Sequence, residues 1–307
     1  MNNTNSKQDR WILEIDYSQL MDVRIDYVFK LLFSKGNRRL LISLLNAIFA
    51  NKKIPRVIKD LTIKNPFFDK DSAEDKLSIL DIRAELDDGT SVLIEMHLFG
   101  LVQLKSKTIR SWARAYGEEL IAGDKYASQQ PTIVIAFTDG QVKTIEKKAS
   151  EADKDKIHRL CMIMDREDLT LFTDAMELHY IDMKAFAKAV NNKAGSIKID
   201  DTEAEMFTKW LLIITQKVIE DKTIIENACR EEEDIQMAIS TLITQGKDKH
   251  TRQTYLRRQD ELFFYNMNMA ERDEFKRRAE MAESALMEKH AENERLRQEL
   301  AELRAKV

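Results

Sequence analysis

The sequence predicts an α/β protein whose mixed β-sheet is flanked by helices and followed by a helical C-terminal extension. First, two adjacent strands are expected at 77–86 and 91–98, joined by a tight turn. Second, a helix at 103–122 leads from this hairpin to an unbroken apolar strand at 131–137. A strand reached through a helix beside an antiparallel hairpin indicates a mixed sheet. Third, the chain beyond residue 220 has almost no glycine and no proline, which favours a helical C-terminal extension.

The elements of the first half follow from the spacing of apolar residues. Segment 22–50 has apolar residues at helical spacing, and Gly36 interrupts it. Residues 63–72 predict a short extended piece and a loop. The helix at 103–122 is predicted to pack through one apolar stripe. This stripe consists of Ile109, Trp112, Tyr116 and Leu120.

The second half predicts a helix near 143–163, a strand at 176–183 and an amphipathic helix at 203–218. From there onward the sequence reads as helical. We therefore expect three segments: a sheet-containing domain at 20–215, a helical connector at 216–270 and a charged helix at 271–307.

Composition limits the class of protein. The chain has 307 residues, of which 43% are hydrophobic and 33% charged, as expected for a soluble body with an exposed charged helix. It contains no apolar run of the roughly 18–20 residues that span a bilayer, so no membrane is expected as a partner. Cys161 and Cys229 form no CxxC pair, which predicts reduced thiols in a cytoplasmic protein. The net charge of -4 means that contact with nucleic acid requires local basic patches.

The hairpin carries a pattern of acidic residues that depends on its turn. Asp87-Asp88-Gly89 predicts a three-residue loop with glycine in the left-handed region. This loop pairs Leu86 with Thr90 and therefore Asp81 with Glu95. A two-residue loop would shift the register by one position and separate the two carboxylates.

The predicted register divides the hairpin into two faces. The face expected to pack on the core holds Leu80, Ile82, Ala84, Leu86, Val92, Ile94, Met96 and Leu98. The opposite face holds Asp81, Arg83, Glu85, Glu95 and His97. Opposed carboxylates repel each other, and a divalent cation between them would reverse that interaction. The same alternation also fits a hairpin whose polar face simply faces water.

The hairpin, with its acid, glycine turn and Glu-x-His, resembles the core of the PD-(D/E)xK nuclease superfamily, and more narrowly its recombination-promoting nuclease and putative transposase group. The resemblance spans about residues 20–215 and implies a restriction-endonuclease-like fold. The segments that carry it are "DYVFKLLF" (26–33), "LDIRAELDDG" (80–89), "IEMH" (94–97), "AYGEELIAGDKY" (115–126), "PTIVIAF" (131–137), "MELHYIDM" (176–183) and "KWLLII" (209–214).

This resemblance implies that Asp81 and Glu95 ligate Mg²⁺ or Mn²⁺, and that Asp26 is a further acidic residue of the metal site. His97 departs from the pattern, because the superfamily usually has lysine there and this group glutamine. A neutral His97 could act as a base, orient the attacking water, or serve as a third ligand that would favour Mn²⁺. It also fits a partly exposed strand histidine without a catalytic role.

The helix after the hairpin contains a second departure and a candidate DNA contact. Arg110 and Ser111 replace the aromatic pair that is usual in the group. Lys107, Arg110 and Arg114 are spaced i, i+3 and i+7, which places their charges on one side of the helix. We expect these side chains to contact DNA phosphates. A solvated helix face is the alternative interpretation.

The C-terminal residues predict a short coiled coil. Leu286, Asn293, Leu300 and Val307 occupy a positions, and Leu296 and Leu303 occupy d positions. A single asparagine at an a position favours a parallel dimer, and the pairs Glu292–Arg297 and Glu299–Arg304 would attract across it. We expect a homodimer through this helix. An exposed charged helix that does not self-associate is the alternative.

Together these patterns predict a metal-dependent DNA endonuclease that hydrolyses phosphodiester bonds, with a role in recombination or mobile-element activity. The alternative is a catalytically degenerate DNA- or protein-binding module of the same fold. A purely structural helical scaffold would leave the acidic hairpin unexplained.

Overall fold

A six-stranded mixed sheet forms the centre of the fold, in the order β1-β2-β3-β4-β6-β5. The structure is a computed structural model that describes residues 15–17, 19–33, 36–64, 82–98, 103–118, 126–142, 156–192 and 202–304. The strands are Leu61–Lys64 (β1), Ile82–Leu86 (β2), Ser91–His97 (β3), Thr132–Thr138 (β4), His158–Met164 (β5) and Leu171–Asp182 (β6). Strands β3, β4 and β6 are mutually parallel, whereas the other pairings are antiparallel. The predicted mixed α/β sheet is therefore confirmed.

The helices flank this sheet and make up the C-terminal part of the chain. They are Asp26–Phe33 (α1), Arg38–Ala50 (α2), Leu104–Glu118 (α3), Met183–Asn191 (α4), Thr202–Ile214 (α5), Lys222–Glu231 (α6), Glu233–Lys247 (α7) and Lys249–Arg304 (α8). The helical extension beyond residue 220 is confirmed. None of the helices in the described ranges has the length and hydropathy of a membrane span.

The β2–β3 hairpin has the predicted three-residue loop. The amide of Leu86 donates to the carbonyl of Thr90 at 2.9 Å, and the amide of Gly89 donates to the carbonyl of Leu86 at 3.0 Å. Gly89 has a φ of 86°, which a side chain would strain. The described ladder ends at the pair Ile82–Ile94, in the predicted register. Asp81 lies outside the described residues.

Both faces of the sheet are covered. One face packs against α3 through an apolar cluster that includes Leu93, Leu104 and Val134. The other face packs against aromatic side chains of α1 and α2, for example Phe29, whose ring centroid lies 5.7 Å from that of Phe137. Strand β4 lies between parallel neighbours and is buried along its whole length, as its unbroken apolar run predicts.

The packing face of α3 differs from the predicted stripe. Its buried residues are Leu104, Thr108, Ser111 and Ala115. Ile109, which we expected to pack, is 47% exposed. The prediction was wrong for Ile109, whereas Trp112 packs against the apolar cluster and stacks on Tyr116. Leu120 lies outside the described residues. The hydroxyl groups of Thr108 and Ser111 face the sheet, where they hydrogen-bond to Tyr180 and Glu95.

The predicted helix near 143–163 is wrong over its described part. Residues His158–Met164 form β5, an edge strand paired antiparallel with β6. Residues 143–155 lie outside the described residues. The sequence of β5 contains few strong strand formers, and its conformation is determined by the hydrogen bonds to β6, which supply the backbone partners that a helix would otherwise provide.

The contacts divide the chain into two units, Met1–Tyr255 and Leu256–Val307. The first unit contains the sheet and the helices α1–α7. In the second unit the helix exposes large apolar side chains along its length, among them Phe275, Leu286 and Leu296.

Candidate functional site

Three rows of side chains cross the parallel strands β3, β4 and β6 on the face that α3 covers. Residues within a row are neighbours in the strand register. The rows are Leu93–Val134–Leu178, Glu95–Ala136–Tyr180 and His97–Thr138–Asp182. The composition changes from apolar to polar toward the carboxyl ends of the strands. The polar end of this face is where we locate the candidate site.

Glu95 lies beneath α3 and is only 3% exposed. His97 Nε2 is 2.6 Å from Glu95 Oε2, and the Ser111 hydroxyl donates to Glu95 Oε1 at 2.8 Å. Since an ionised carboxylate can only accept hydrogen bonds, His97 must carry its proton on Nε2. In a neutral ring Nδ1 is then the acceptor nitrogen. The interpretation of Glu95 as a surface acid is wrong, because α3 covers it.

The Glu95 carboxylate remains ionised despite its burial. Burial by itself raises the pKa of a carboxyl group. Here the hydrogen bond from His97, the charge of Lys107 and the hydrogen bond from Ser111 oppose the effect of burial, and the pKa of Glu95 is lower than its ordinary value. The site therefore presents a negative charge that the protein has largely removed from water.

Two polar contacts hold α3 over this row. One is the Ser111–Glu95 hydrogen bond, and the other joins the hydroxyl groups of Thr108 and Tyr180 at 2.6 Å. Ala136 lies between Glu95 and Tyr180 in the strand register. Ser111 was not predicted as a site residue. The i, i+4, i+7, i+11 spacing of residues 104, 108, 111 and 115 would have identified this face of the helix.

His97 is 7% exposed, so the interpretation of it as a partly exposed strand histidine is wrong. Asp26 begins α1 and forms an ion pair with Lys30 at 3.9 Å, with its side chain partly exposed. Within the described residues no hydrogen bond or ion pair joins Asp26 to Glu95 or His97. The predicted partner Asp81 lies outside the described part of the chain.

The three predicted DNA-contacting residues differ in their surroundings. Lys107 and Arg110 are exposed on α3. Arg114 is partly buried and pairs with Glu118 at 3.3 Å. Glu118 also binds Arg83 at 2.9 Å, so its charge is shared between two guanidinium groups.

The donor set around Glu95 suits a hard divalent cation, although the described residues do not complete a metal site. Among them, no three His, Cys, Asp or Glu side chains are grouped so that they could hold an ion. Each oxygen of Glu95 accepts one described hydrogen bond and has a second lone pair available. Carboxylate oxygens are the preferred ligands of Mg²⁺.

A second buried acid lies on the opposite face of the sheet. Glu177 pairs with Arg56 at 3.1 Å and is 3.5 Å from His179 Nε2. His179 Nδ1 is 2.9 Å from His158 Nε2, and Asn51 Nδ2 is 2.8 Å from His158 Nδ1. The spacing of the two histidines along the chain matches no ligand motif, so the sequence alone predicts no role for them.

Comparison with known proteins supports the nuclease resemblance over most of the chain. A family model described as a PD-(D/E)XK nuclease family transposase matches residues 23–272. No curated protein and no solved structure matches the chain.

Proposed function

The chain belongs to the PD-(D/E)XK nuclease family transposases, and we propose that it is a divalent-metal-dependent DNA endonuclease whose site is centred on Glu95. The observation that carries this proposal is the buried, ionised carboxylate of Glu95. A buried carboxylate is unfavourable unless a cation compensates it. Among the described side chains no lysine or arginine pairs with Glu95.

We propose that Asp81 and Glu95 are the carboxylate ligands and that Asp26 is a further acidic group of the site. Mg²⁺ or Mn²⁺ bound there would activate water and stabilise the charge that develops on the phosphate. Glu95 contributes a hard oxygen whose position is fixed by two hydrogen bonds. A role in recombination or mobile-element activity fits the family description.

His97 is proposed to act through its second nitrogen. Its Nε2–H is donated to Glu95, so only Nδ1 can accept a proton from water, orient it or bind a metal. This arrangement gives His97 two tasks, one for each ring nitrogen.

Lys107 and Arg110 are proposed to contact DNA phosphates, with Arg114 as a third cation at the far end of the same helix. Lys107 and Arg110 are exposed, and the charge of Lys107 reaches Glu95 strongly enough to lower its pKa. A phosphodiester held by these side chains would therefore lie near the candidate site.

The direct test is the cleavage of supercoiled plasmid with Mg²⁺, with Mn²⁺ and with EDTA. We expect the wild type to cleave with a metal ion and the Asp81→Ala variant not to cleave, while circular dichroism shows both folded. A folded Asp81→Ala variant that cleaves as well as the wild type would contradict the metal site.

The alternative is a DNA-binding module that has lost catalysis. The replacement of the usual lysine or glutamine by His97, with one nitrogen committed to Glu95, favours this alternative. It predicts that the wild type retards DNA in a gel but cleaves none with either metal ion.

We further propose that the helix in the unit Leu256–Val307 forms a homodimer. Its seam residues Leu286 and Leu296 are exposed, and a parallel coiled coil would bury them. We expect the double variant Leu286→Glu/Leu296→Glu to be monomeric by light scattering and to yield nicked rather than linear plasmid. Met287→Glu, an exposed position outside the a and d seam, is the matched control. Equal masses for all three proteins would contradict a dimer formed through this helix.

A further inference from the structure

We propose that Ser111 is a positioning residue of the candidate metal site, where its hydroxyl fixes one oxygen of Glu95 while His97 fixes the other. This inference rests on the proposed function. It assigns a task to a helix residue that lies outside the acidic hairpin and differs from the aromatic residue usual in the resembling group.

The contact geometry supports a two-point restraint. Ser111 Oγ lies 2.8 Å from Oε1 of Glu95, and His97 Nε2 lies 2.6 Å from Oε2. The two donors come from different elements, α3 and β3, and all three side chains are buried. A rotation of the carboxylate would lengthen both hydrogen bonds, so the group has one favoured orientation.

The helix that carries Ser111 is itself held in place. Thr108, one turn earlier on α3, is bonded to the Tyr180 hydroxyl at 2.6 Å. Leu104 and Ala115 pack into the apolar cluster on the same face. Ser111 therefore approaches Glu95 from a fixed support, which is what positioning requires.

Pre-orientation matters because a free glutamate loses side-chain freedom when it binds a cation. A carboxylate already held by two donors has lost that freedom during folding. Each oxygen keeps a lone pair for a ligand bond, so the two donors need not leave when a cation binds. Outer hydrogen bonds of this kind typically change metal affinity by about 10–100-fold.

A purely structural role for Ser111 is the competing explanation, because any buried carboxylate needs donors. Thr108 offers a matched control on the same helix face. Its hydrogen bond to Tyr180 also joins α3 to the sheet, but neither residue bonds to Glu95. If Ser111 only anchors the helix, removal of either hydrogen bond should affect metal binding to the same extent.

The experiment is calorimetric titration of Mn²⁺ into the full-length protein, with thermal unfolding measured on the same samples. The set comprises the wild type, Glu95→Ala, Ser111→Ala, Ser111→Cys and Thr108→Val. We expect Ser111→Ala to weaken Mn²⁺ binding about 10-fold and Thr108→Val by less than about two-fold, while both lower the unfolding temperature. Ser111→Cys has a weaker donor of similar shape and should weaken binding even if the alanine variant does not fold.

The outcomes separate this inference from the function on which it rests. If the wild type binds no Mn²⁺, or if Glu95→Ala binds it equally well, the proposed function and the inference are both overturned. If Glu95→Ala abolishes binding while the folded Ser111 variants bind like the wild type, only the positioning role is overturned. Equal weakening by Thr108→Val and Ser111→Ala would likewise assign Ser111 to anchoring.

Discussion

The pattern Glu-x-His occurs on two strands of the sheet, once on each face, and the two copies have different surroundings. On β3 Glu95 is 2.6 Å from His97, beneath α3. On β6 Glu177 is 3.5 Å from His179, on the face that α1, α2 and α5 cover. Both acids are buried, and the pKa of each is lower than its ordinary value even though burial alone would raise it.

The difference between the two copies lies in their cations. Glu177 has Arg56 at 3.1 Å, and this guanidinium also lies over the ring of Phe49. The negative charge of Glu177 is therefore compensated by a cation of the protein itself. For Glu95 the partners are the hydroxyl of Ser111 and the ring of His97. An acid whose charge is incompletely compensated in the folded chain is the better candidate for binding an external cation.

The histidines differ in the same way. His179 donates from Nε2 to Glu177 and accepts at Nδ1 from His158 Nε2–H, while His158 Nδ1 accepts from Asn51. Both rings are thereby held neutral with every nitrogen engaged. His97 uses Nε2 for Glu95, and within the described residues Nδ1 has no hydrogen-bond partner. Of these three buried histidines, His97 is the one whose second ring nitrogen has no partner among the described residues.

The largest expected effect separates the two acids. Glu95→Gln should abolish Mn²⁺ binding and plasmid cleavage, because an amide oxygen carries no negative charge. Glu177→Gln should retain both, because its carboxylate already has Arg56 as a partner. Calorimetry and plasmid nicking on folded proteins test this prediction. Loss of metal binding in the Glu177 variant alone would reverse our assignment of the site.

The next effect concerns stability on the Glu177 face. Arg56→Met leaves a buried carboxylate without its cation, which typically costs about 3–5 kcal/mol in unfolding free energy. The double variant Arg56→Met/Glu177→Gln should recover a large part of this loss. Urea unfolding of the single and double variants measures the recovery. If the losses of the single variants simply add, the pair does not interact as described.

A smaller effect is the pH dependence of stability from the buried histidines. Burial, with His179 and Lys52 nearby, lowers the pKa of His158 from 6.5 to about 2. Below pH 6.5 the unfolded chain therefore binds a proton that the folded protein excludes. The contribution to stability is complete above pH 6.5 and is lost as the pH falls.

Between pH 5 and 6.5 the unfolding free energy of the wild type should rise with pH. We expect His158→Gln to reduce this rise by up to about 1.4 kcal/mol per pH unit, which is the value for one proton. Urea unfolding at several pH values provides the measurement. A variant with the wild-type slope would show that His158 is protonated in the folded state.

The smallest effect is expected at the surface of α3. Lys107→Gln and Arg110→Gln should each weaken DNA binding a few-fold. Each should also lower the slope of log K against log salt concentration by about one, which corresponds to one fewer released counterion. Arg39→Gln is the control, because Arg39 is an exposed cation of α2, on the other face of the sheet, and pairs with Glu233 and Asp234. An equal loss in all three variants would indicate attraction by overall charge rather than a contact on α3.

Local sequence features predicted the parts of the fold that depend on near neighbours. The loop Asp87-Asp88-Gly89 determines the hairpin register, because glycine permits the positive φ that a three-residue loop requires. The unbroken apolar run of β4 and the glycine-poor C-terminal helices were likewise predictable, since each depends on residues within one element.

The sequence by itself determined that Glu95 and Glu177 are each followed by a histidine two positions later, and that each lies on a strand. Only the tertiary structure decided which acid is compensated. Arg56 is 121 residues from Glu177, and Ser111 is 16 residues from Glu95 on another element. The burial of Ser111 rather than Ile109 and the strand conformation of β5 also depend on distant partners. Such contacts form because folding buries polar groups together, and their free energy depends on distances that residue spacing does not specify.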